Sequence, residues 1–406
     1  MREPVAVTGL GLVTPAGLGT APSWEQVLAG ESAATTDPNL ADLPVTFSCR
    51  VPEFDAFALL GRKAARRLDR FVQLAIVAAR EAVADAGLDP ATWDGARVGV
   101  VLGCGMGGTW TWEEQHRRLL EQGPGRVSPM LIPMLVPNMV AGHVAMEFDA
   151  RGPNLVTATA CASGATAVGT AMDLLRSDAC DVVLTGGTES GVTPLSVAGF
   201  AQMGALSARN DDPAAASRPF DVERDGFVAA EAAGLLVLER SADAAARGAH
   251  VHARIAGYGA SADAHHVTAP DPDGRGAEQA MRAALADAGI APADVGHVNA
   301  HGTSTPLNDV SEARTVRRVL GDGPVVTSTK GVTGHTLGAA GAIEAAFTVL
   351  ALEHGVIPPT ANLDSQDPAV EVDVVAKAPR EAAVEVALSN AFGFGGQNAV
   401  LAVVRA

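Results

Sequence analysis

The chain has 406 residues, of which 48% are hydrophobic and only 18% are charged, so it is long and apolar enough to bury a large core. Its formal net charge of −17 argues against binding to nucleic acid or to an anionic membrane. With one Tyr and four Trp, the core must be filled by Ala, Val, Leu and Gly, which suits helices packed closely on sheets.

Apolar strands and helices alternate along the chain and predict an α/β fold. Residues 104–150 hold four of the prolines and are expected to be an irregular, functional segment. A polar stretch at 239–250 separates two predicted halves, 1–250 and 251–406. The predicted strands are 5–11, 98–102, 154–156, 181–185, 235–238, 295–300, 325–327, 386–388 and 399–403. The predicted helices are 68–86, one that begins at Cys161, 275–288, 310–320 and 338–353.

The cysteine usage indicates a reducing compartment. None of the four cysteines forms a C-x-x-C pair, so neither a disulfide framework nor a zinc site is expected. No signal-peptide pattern follows Met1, and we find no run of 18 apolar residues. We therefore expect a cytoplasmic protein without a membrane-spanning helix.

Cys161 is the most informative residue of the sequence. The apolar run 154–156 leads into it and the small residues 162–167 follow, a pattern that predicts a strand, a tight turn and a closely packed helix. A thiol at a helix N-terminus faces unpaired N–H groups, which favour the nucleophilic thiolate. The alternative is a buried structural cysteine.

Three further turns could complete a site around this sulfur. His301 and His335 each follow a predicted strand in a segment rich in Gly and Thr, where glycine lets a substrate approach the backbone. In the turn 393–396, Phe394 stands among three glycines whose N–H groups could point at a developing oxyanion. The alternatives are satisfied structural histidines and a plain glycine-rich hairpin.

Together these segments resemble the elongating β-ketoacyl-acyl carrier protein synthases, the type II condensing enzymes of the thiolase superfamily. The resemblance covers essentially the whole chain and implies a five-layer α-β-α-β-α fold built from two similar halves. The motifs that carry it are 160–164, 217–221, 224–227, the segments around His301 and around Lys330 and His335, and 390–396.

The resemblance also implies catalytic roles. Cys161 would take the acyl chain from the carrier protein as a thioester. His301 and His335 would bind the malonyl thioester carbonyl and promote decarboxylation, after which the carbanion attacks the acyl group on Cys161. The N–H groups of Cys161 and Phe394 would form the oxyanion hole.

Supporting roles follow for several polar residues. Lys330 would act electrostatically and pair with Glu344. Asp309 and Glu312 fall where the family has supporting carboxylates, although the same D-x-x-E pattern also fits a capping box that opens a helix at Val310.

The resemblance assigns substrate contacts as well. Thr303 and Thr305 would hydrogen-bond the phosphopantetheine arm, unless they serve only the turn. Met106, Met134 and Phe200 would line the acyl pocket. Departures from the family pattern at 229–234, at Gln397, at Met106 and at 133–137 leave chain length and pathway open. They favour a specialised polyketide or polyene system over fatty-acid synthesis.

The expected partner is an acyl carrier protein. A basic segment at 61–70 could steer this acidic protein onto a chain that is itself acidic, although it could equally be a solvated helix face. The substrates would arrive on 4′-phosphopantetheine, and no bound cofactor and no metal are expected. The carrier protein would dock on Arg62, Lys63, Arg66 and Arg67 of this basic segment.

The sequence leaves two subunit arrangements open. Family members are dimers, and the apolar segment 130–140 would suit an interface, either with an identical chain or with a chain-length-factor-like homologue. The first strand begins at residue 5 and the last ends near residue 406, which favours a free-standing subunit.

Two other functions remain as alternatives. Initiating synthases use Cys-His-Asn and chain-length factors lack the cysteine, so the Cys-His-His set favours a catalytic, elongating enzyme over a non-catalytic partner subunit. A thiolase or hydrolase on the same fold is disfavoured because thiolases need a second cysteine in the C-terminal half, and all four cysteines precede residue 181.

Overall fold

A computed structural model describes residues 3–406. Its strands are β1 (Val5–Thr14), β2 (Gly17–Leu18), β3 (Thr35–Thr36), β4 (Phe47–Ser48), β5 (Val98–Gly103), β6 (Asn154–Thr157), β7 (Val182–Glu189), β8 (Ala232–Arg240), β9 (Ala253–Ala262), β10 (His297–Asn299), β11 (Val325–Thr327), β12 (Val356–Ile357), β13 (Asp373–Val374), β14 (Arg380–Glu381), β15 (Val386–Gly393) and β16 (Gln397–Arg405). Its α-helices are α1 (Thr20–Ala29), α2 (Ala56–Arg67), α3 (Arg70–Asp85), α4 (Thr109–Gln122), α5 (Leu131–Leu135), α6 (Met139–Phe148), α7 (Ser163–Arg176), α8 (Pro194–Gln202), α9 (Ser241–Ala246), α10 (Arg275–Ala288), α11 (Pro306–Leu320), α12 (Lys330–Thr333) and α13 (Ala340–His354).

One strand order occurs twice in the large sheet, which runs β13-β11-β10-β15-β16-β9-β1-β8-β7-β5-β6. Numbered within their own set, the strands β1, β5, β6, β7 and β8 lie in the order 3-2-4-5-1, and so do β9, β10, β11, β15 and β16. The two sets meet where β1 pairs antiparallel with β9, with Val5 opposite Ile255. This repeat is the two-fold similarity that the sequence predicts.

Helices cover both faces of each set and make five layers. Helices α3 and α6 pack on the outer face of the first set, and α10 and α11 cover the outer face of the second. Helices α7 and α13 lie between the two sets, where they share the largest apolar cluster. Because α7 and α13 are packed between sheet on both sides, they are held in place. The residues at their N-terminal ends are therefore held in place as well.

Helix α13 is buried on all sides. All residues from Ala340 to Leu352 are buried, and the helix ends at Gly355 in the left-handed conformation (φ 67°). The segment Leu337–His354 is apolar enough to cross a membrane by length and composition, which the sequence analysis did not expect, but 89% of it is buried inside the protein. It is therefore a core helix.

The expectation of an irregular segment at 104–150 was wrong. Helices α4, α5 and α6 occupy most of it. Two of its prolines stand at helix boundaries, Pro124 at the first position of a 3₁₀ turn and Pro137 just before α6, where a missing N–H costs little. A count of prolines does not distinguish a proline at a helix end from one that breaks a helix.

Candidate active site

A cavity of about 570 Å³ brings the predicted catalytic residues together. Cys161 stands in a 3₁₀ turn just before α7, His301 two residues after β10, and His335 in the turn between α12 and α13. His335 Nε2 lies 3.0 Å from Cys161 Sγ, and the rings of His301 and His335 meet edge to face with centroids 5.4 Å apart. One thioester can therefore contact all three side chains.

The turn that carries Cys161 is strained and tightly held. Ala160 has φ 49°, a left-handed conformation that is unusual for alanine and typical of functional turns. Ser163 Oγ donates to Ala160 O at 2.6 Å and accepts from Thr159 N at 2.9 Å. The helix itself begins at Ser163, two residues later than predicted.

Cys161 does not favour thiolate in this environment. Burial raises the pKa of its thiol to about 11, and the N–H of Phe394 and the charge of Lys330 only partly offset this. The sequence predicts that the helix terminus promotes the thiolate, but it does not reveal the cost of burying the charge. The thiol therefore needs a proton acceptor, and His335 Nε2 stands at the right distance.

His335 is held as a neutral base. Burial, with the Lys330 charge nearby, keeps its pKa well below the usual range. Its backbone is clamped on both sides, since its N–H donates to Val228 O at 2.8 Å and its carbonyl accepts from Ala230 N at 3.1 Å. The ring packs edge to face against Phe227 with centroids 5.2 Å apart.

His301 is also neutral, and its tautomer can be inferred. Burial and the neighbouring Lys330 hold its pKa well below the usual value. Lys330 Nζ donates to His301 O at 2.6 Å and lies 3.4 Å from His301 Nδ1. Since an ammonium can only donate, Nδ1 must accept and the ring proton stands on Nε2.

Lys330 is itself buried and paired. Its ammonium forms an ion pair with Glu344, as the sequence predicts. Burial raises the pKa of Glu344 to about 7, against the opposing effect of Lys330. The charge of Lys330 adds to burial, which is the larger effect, in holding the pKa of both histidines low.

The capping-box interpretation of Asp309 and Glu312 was wrong. Helix α11 begins at Pro306, so both carboxyl groups lie inside it rather than at its start. Glu312 accepts from the N–H groups of His301 and Gly302, each at 2.8 Å. It therefore fixes the turn that aims His301.

Asp309 supports a neighbouring segment instead. It accepts from Phe220 N at 2.9 Å and lies 3.4 Å from Arg224 Nε. Burial raises its pKa to about 6, partly offset by these contacts. The motifs 217–221 and 224–227 thus pack behind the histidine turn.

Phe394 lies in the glycine turn between β15 and β16 and lines the cavity. Its N–H group is close enough to Cys161 to lower the pKa of the thiol. Gly395 and Gly396 have φ 80° and 68°, which only glycine adopts without strain. Gly395 N donates to Val267 O at 2.8 Å, which ties the turn to a neighbouring loop.

Thr303 and Thr305 line the same cavity and hydrogen-bond to each other at 2.9 Å. Met106 and Phe200 also line it, but Met134 does not. Met134 lines a separate cavity of about 370 Å³. The prediction that it belongs to the acyl pocket is therefore not supported within one chain.

Glu189 is a cavity residue that the sequence analysis missed. It is the last residue of β7, is fully buried, and accepts from Gly105 N at 2.7 Å and Met106 N at 3.2 Å. Burial raises its pKa to about 7. An acidic residue that ends an apolar strand is the signal that could have revealed it.

The predicted docking residues form an exposed basic face on α2, and they are Arg62, Lys63, Arg66 and Arg67. Arg70, at the end of the same basic segment, does not belong to this face, because it pairs with the buried Glu231 at 2.6 Å. No metal was expected in the catalytic cavity, yet Cys161 Sγ and the nitrogens of His301 and His335 lie within 4.8 Å of one another and could hold one. That expectation stays a prediction.

A repeated 3-2-4-5-1 strand order with Cys-His-His at the helix termini between the layers defines a thiolase-like condensing enzyme. Residues 2–244 match the family described as "Beta-ketoacyl synthase, N-terminal domain" and residues 252–364 match "Beta-ketoacyl synthase, C-terminal domain". The chain therefore belongs to the β-ketoacyl synthase family, and the predicted class of acyl-transferring enzyme is confirmed.

Known proteins resemble it over their full lengths. A 3-oxoacyl-[acyl-carrier-protein] synthase 2 of Synechocystis sp. is 46% identical, with 99% of this chain and 98% of the relative covered. Among solved structures, the ishigamide ketosynthase/chain length factor has a TM-score of 0.92 at 35% identity, and the type II polyketide ketosynthase AntDE, in complex with its acyl carrier protein AntF, has 0.92 at 32%; each covers 100% of both chains. The thiolase-like fold is thereby confirmed.

Proposed function

We propose that the protein is an elongating β-ketoacyl-acyl carrier protein synthase that joins a Cys161-bound acyl chain to a malonyl unit with loss of CO₂. The observation that carries this proposal is the 3.0 Å contact between Cys161 Sγ and His335 Nε2, with His301 edge-on to His335 in the same cavity. A non-catalytic partner subunit would not need to keep this set of buried groups.

The first half-reaction is acyl transfer. The Cys161 sulfur attacks the carbonyl of an acyl-pantetheine thioester as its proton passes to His335 Nε2. The N–H groups of Cys161 and Phe394 donate to the oxyanion of the tetrahedral intermediate. When this collapses, the pantetheine sulfur leaves and takes the proton from His335, which is again neutral.

The second half-reaction is decarboxylation followed by condensation. The malonyl thioester oxygen accepts hydrogen bonds from the Nε2–H of His301 and from His335, whose neutral ring carries its proton on Nε2 in this step instead of on Nδ1. The bond to the carboxylate breaks, CO₂ departs, and the electron pair forms an enolate whose charge these N–H groups stabilise. The enolate carbon attacks the acyl carbonyl, and the Cys161 sulfur leaves as thiolate. It then takes a new proton from solvent, because its first proton left with the pantetheine thiol.

Neutral histidines suit this second step. An uncharged N–H stabilises an enolate without donating its proton outright, and burial together with the charge of Lys330 keeps both rings uncharged. Lys330 and Glu344 are therefore positioning residues, and Glu312 positions His301 through its backbone.

We propose that both substrates arrive on the phosphopantetheine of an acyl carrier protein. Thr303 and Thr305 are suited to its amide groups, and Met106 and Phe200 to the acyl chain. We propose that the protein acts in a type II polyketide, polyene or fatty-acid system. Four buried free thiols support work in the cytoplasm.

The proposed assembly is a dimer, with an identical chain or a chain-length-factor-like one. Large apolar side chains are exposed on and near the edge strand β6, with Leu155 at 45%, Met146 at 66% and Ile132 at 59%. An exposed strand edge flanked by such residues is typical of a subunit interface. Native mass spectrometry of the purified chain, alone and with co-purified homologues, would distinguish the two forms.

Cys161→Ala tests the nucleophile. Condensation should fall by about three orders of magnitude or more, whereas release of CO₂ from malonyl carrier protein should stay measurable, because the two histidines remain. Cys180→Ala, at another buried cysteine outside the cavity, is the control and should keep both activities. Retained condensation in Cys161→Ala would refute the assignment.

His301→Ala should lose decarboxylation as well as condensation, and an unchanged rate of CO₂ release would contradict its role. Mass spectrometry of the acyl group trapped on Cys161 would report chain length and saturation. It would thereby identify the pathway that the enzyme serves.

A further inference from the structure

A second cluster of ligating side chains lies at the far end of α13. The helix begins beside Gly338, which lines the catalytic cavity, and Glu353 is its penultimate residue. At 1.5 Å per residue, the carboxyl group of Glu353 is about 20 Å from the cavity along the helix axis. The cluster is therefore separate from the catalytic residues.

The cluster joins two segments of the chain that are about 100 residues apart. His250 and His252 stand two residues apart in the connection between α9 and β9, which links the two strand sets. His250 Nε2 lies 2.8 Å from Glu353 Oε1, and His252 Nδ1 lies 2.8 Å from Glu353 Oε2. The ligating atoms of all three side chains lie within 4.8 Å of one another.

The other nitrogen of His252 is fixed from behind. Its Nε2 lies 2.8 Å from Asp85 Oδ2, and the same oxygen accepts from Leu10 N at 2.8 Å. A carboxylate that holds the far N–H of a ligating histidine sets the ring's tautomer and orientation, which is the usual arrangement at protein zinc sites. With Asp85 on Nε2, the atom left to bind an ion is Nδ1.

The surroundings favour a cation. Asp85 ends α3 and Glu353 lies in the last turn of α13, so the negative ends of two helix dipoles converge here with two carboxylates. The nearby Arg247 is occupied, because it pairs with Glu239 at 2.6 Å. His250 is 66% exposed, which opens the site to ions from solvent, whereas His252 is only 11% exposed.

We propose that His250 Nε2, His252 Nδ1 and the carboxylate of Glu353 form a binding site for Zn²⁺ or a similar divalent transition metal, with Asp85 orienting His252. Two imidazoles and one carboxylate suit zinc better than magnesium or calcium, which prefer oxygen ligands. The ion would take the place of the two histidine–Glu353 hydrogen bonds, displace the protons they hold, and leave the Asp85 bond intact. A water molecule would complete a tetrahedral site.

Such an ion would cross-link separate segments of the chain. It would bind the linker between the two strand sets to the ends of α3 and α13, and it would stabilise the folded chain without touching the reaction. This departs from the sequence-based expectation of no metal. The cysteine spacing on which that expectation partly rested excludes only a cysteine-rich site.

The test is a titration of the metal-free full-length protein with Zn²⁺ and with Co²⁺, followed by calorimetry, visible absorption and thermal unfolding. We expect one ion per chain at this site, the absorption of four-coordinate Co²⁺ without a thiolate charge-transfer band, and a raised melting temperature. Asp85→Asn should weaken binding by about 10–100-fold. His250→Ala, at an exposed side chain that need not disturb folding, should weaken it at least as much.

Two controls separate this site from others. His116→Ala removes an exposed histidine on α4 and should leave binding unchanged. Cys161→Ala removes the catalytic cluster that could also hold a metal and should keep the signal described. Unchanged zinc affinity in His250→Ala, loss of the signal in Cys161→Ala, or only weak binding that all variants share would each overturn the proposal.

Discussion

Glu189 places a titratable group at the wall of the catalytic cavity. The carboxyl group accepts hydrogen bonds from the N–H groups of Gly105 and Met106. It thereby holds the backbone from which the Met106 side chain extends into the cavity. Burial raises its pKa to about 7, so near neutral pH it exists in both forms. Its contacts to backbone donors favour the charged form, and the loss of solvent favours the neutral one.

Glu189→Gln should change how stability depends on pH. The ordinary carboxyl pKa of 4.5 rises to about 7 in the folded chain, so between these values the unfolded chain releases the proton and the folded chain keeps it. Stability contributed by this group is therefore lost as the pH rises through that window. The free energy of unfolding of the variant, relative to wild type, should increase by on the order of 3 kcal/mol from pH 4.5 to 7.

Urea unfolding at several pH values measures this difference. Glu121→Gln, at an exposed side chain on α4, is the control and should show no comparable trend. A Glu189→Gln difference that stays flat across the window would contradict the account of a buried, protonated carboxyl.

Met106→Phe should shorten the longest acyl chain that the enzyme accepts. Met106 lines the cavity, and its methyl group would come within 1.9 Å of a side chain built at Gly191, so the space around it is filled. A larger, stiffer side chain there cannot move aside easily. Competition between acyl carrier proteins of different chain lengths would measure the shift, and an unchanged preference would remove Met106 from the acyl pocket.

For single residues, the sequence predicts which side chains form the site better than it predicts their protonation states. Cys161, His301 and His335 could be recognised from their turns, and they do meet in one cavity. The protonation states could not be predicted, because the pKa of Cys161 depends on burial that only the folded chain creates. Glu189 was missed because its partners are backbone groups more than 80 residues away.

Among the elements, the contact of α7 with α13 decides where the reacting groups stand. Cys161 immediately precedes α7, and the His335 turn precedes α13, so the distance between these helices sets the distance between sulfur and imidazole. A methyl group at Gly164 would come within 2.6 Å of Ala342 N, so the two backbones touch there. The small residues after Cys161 were correctly interpreted as a sign of close helix packing.

Gly164→Ala should therefore damage both stability and activity. The added carbon must push the helices apart, which should cost about 1–3 kcal/mol and lower the rate of condensation. Gly142→Ala in α6 is the matched control, because nothing lies within 4 Å of its added carbon and alanine favours a helix by about 0.5–1 kcal/mol. Thermal unfolding and assays of both variants test this, and equal behaviour would refute the packing argument.

Element boundaries were less predictable than element types. Helix α11 begins at Pro306 rather than at Val310, because proline at a first helical position needs no N–H partner. For this reason the capping-box interpretation of Asp309 and Glu312 was wrong. Both carboxylates instead accept hydrogen bonds from backbone groups outside the helix. Tertiary partners of this kind leave no local signal in a sequence.

On the scale of the whole molecule, charge is distributed unevenly. A chain of formal charge −17 carries a basic face on α2, formed by Arg62, Lys63, Arg66 and Arg67. An acidic carrier protein would be repelled by the molecule as a whole and attracted by this face, and the attraction should dominate within a Debye length of about 8 Å at physiological salt.

Charge reversal at Arg66 and Arg67 should raise the KM for malonyl carrier protein by about tenfold and leave the rate with malonyl-pantetheine unchanged. Added salt should weaken the wild type in the same way, because it screens exposed charges. Arg126→Glu, exposed elsewhere on the surface, is the control. If both charge changes raise KM alike, the face on α2 is only a solvated helix surface.

The overall architecture was the most predictable level, since alternating strands and helices and a family resemblance over the whole chain led to the five-layer fold. The division into domains at about residue 250 stays a prediction. The pairing of β1 with β9, which joins the two strand sets into one sheet, could not be predicted, because it depends on only a few residues at each strand's end.

The repeated strand order distributes the chemistry unequally. The sulfur follows a strand of the first set, and both imidazoles follow strands of the second. A gene cut between the repeats would thus encode two inert polypeptides, and turnover would return only when the products reassociate.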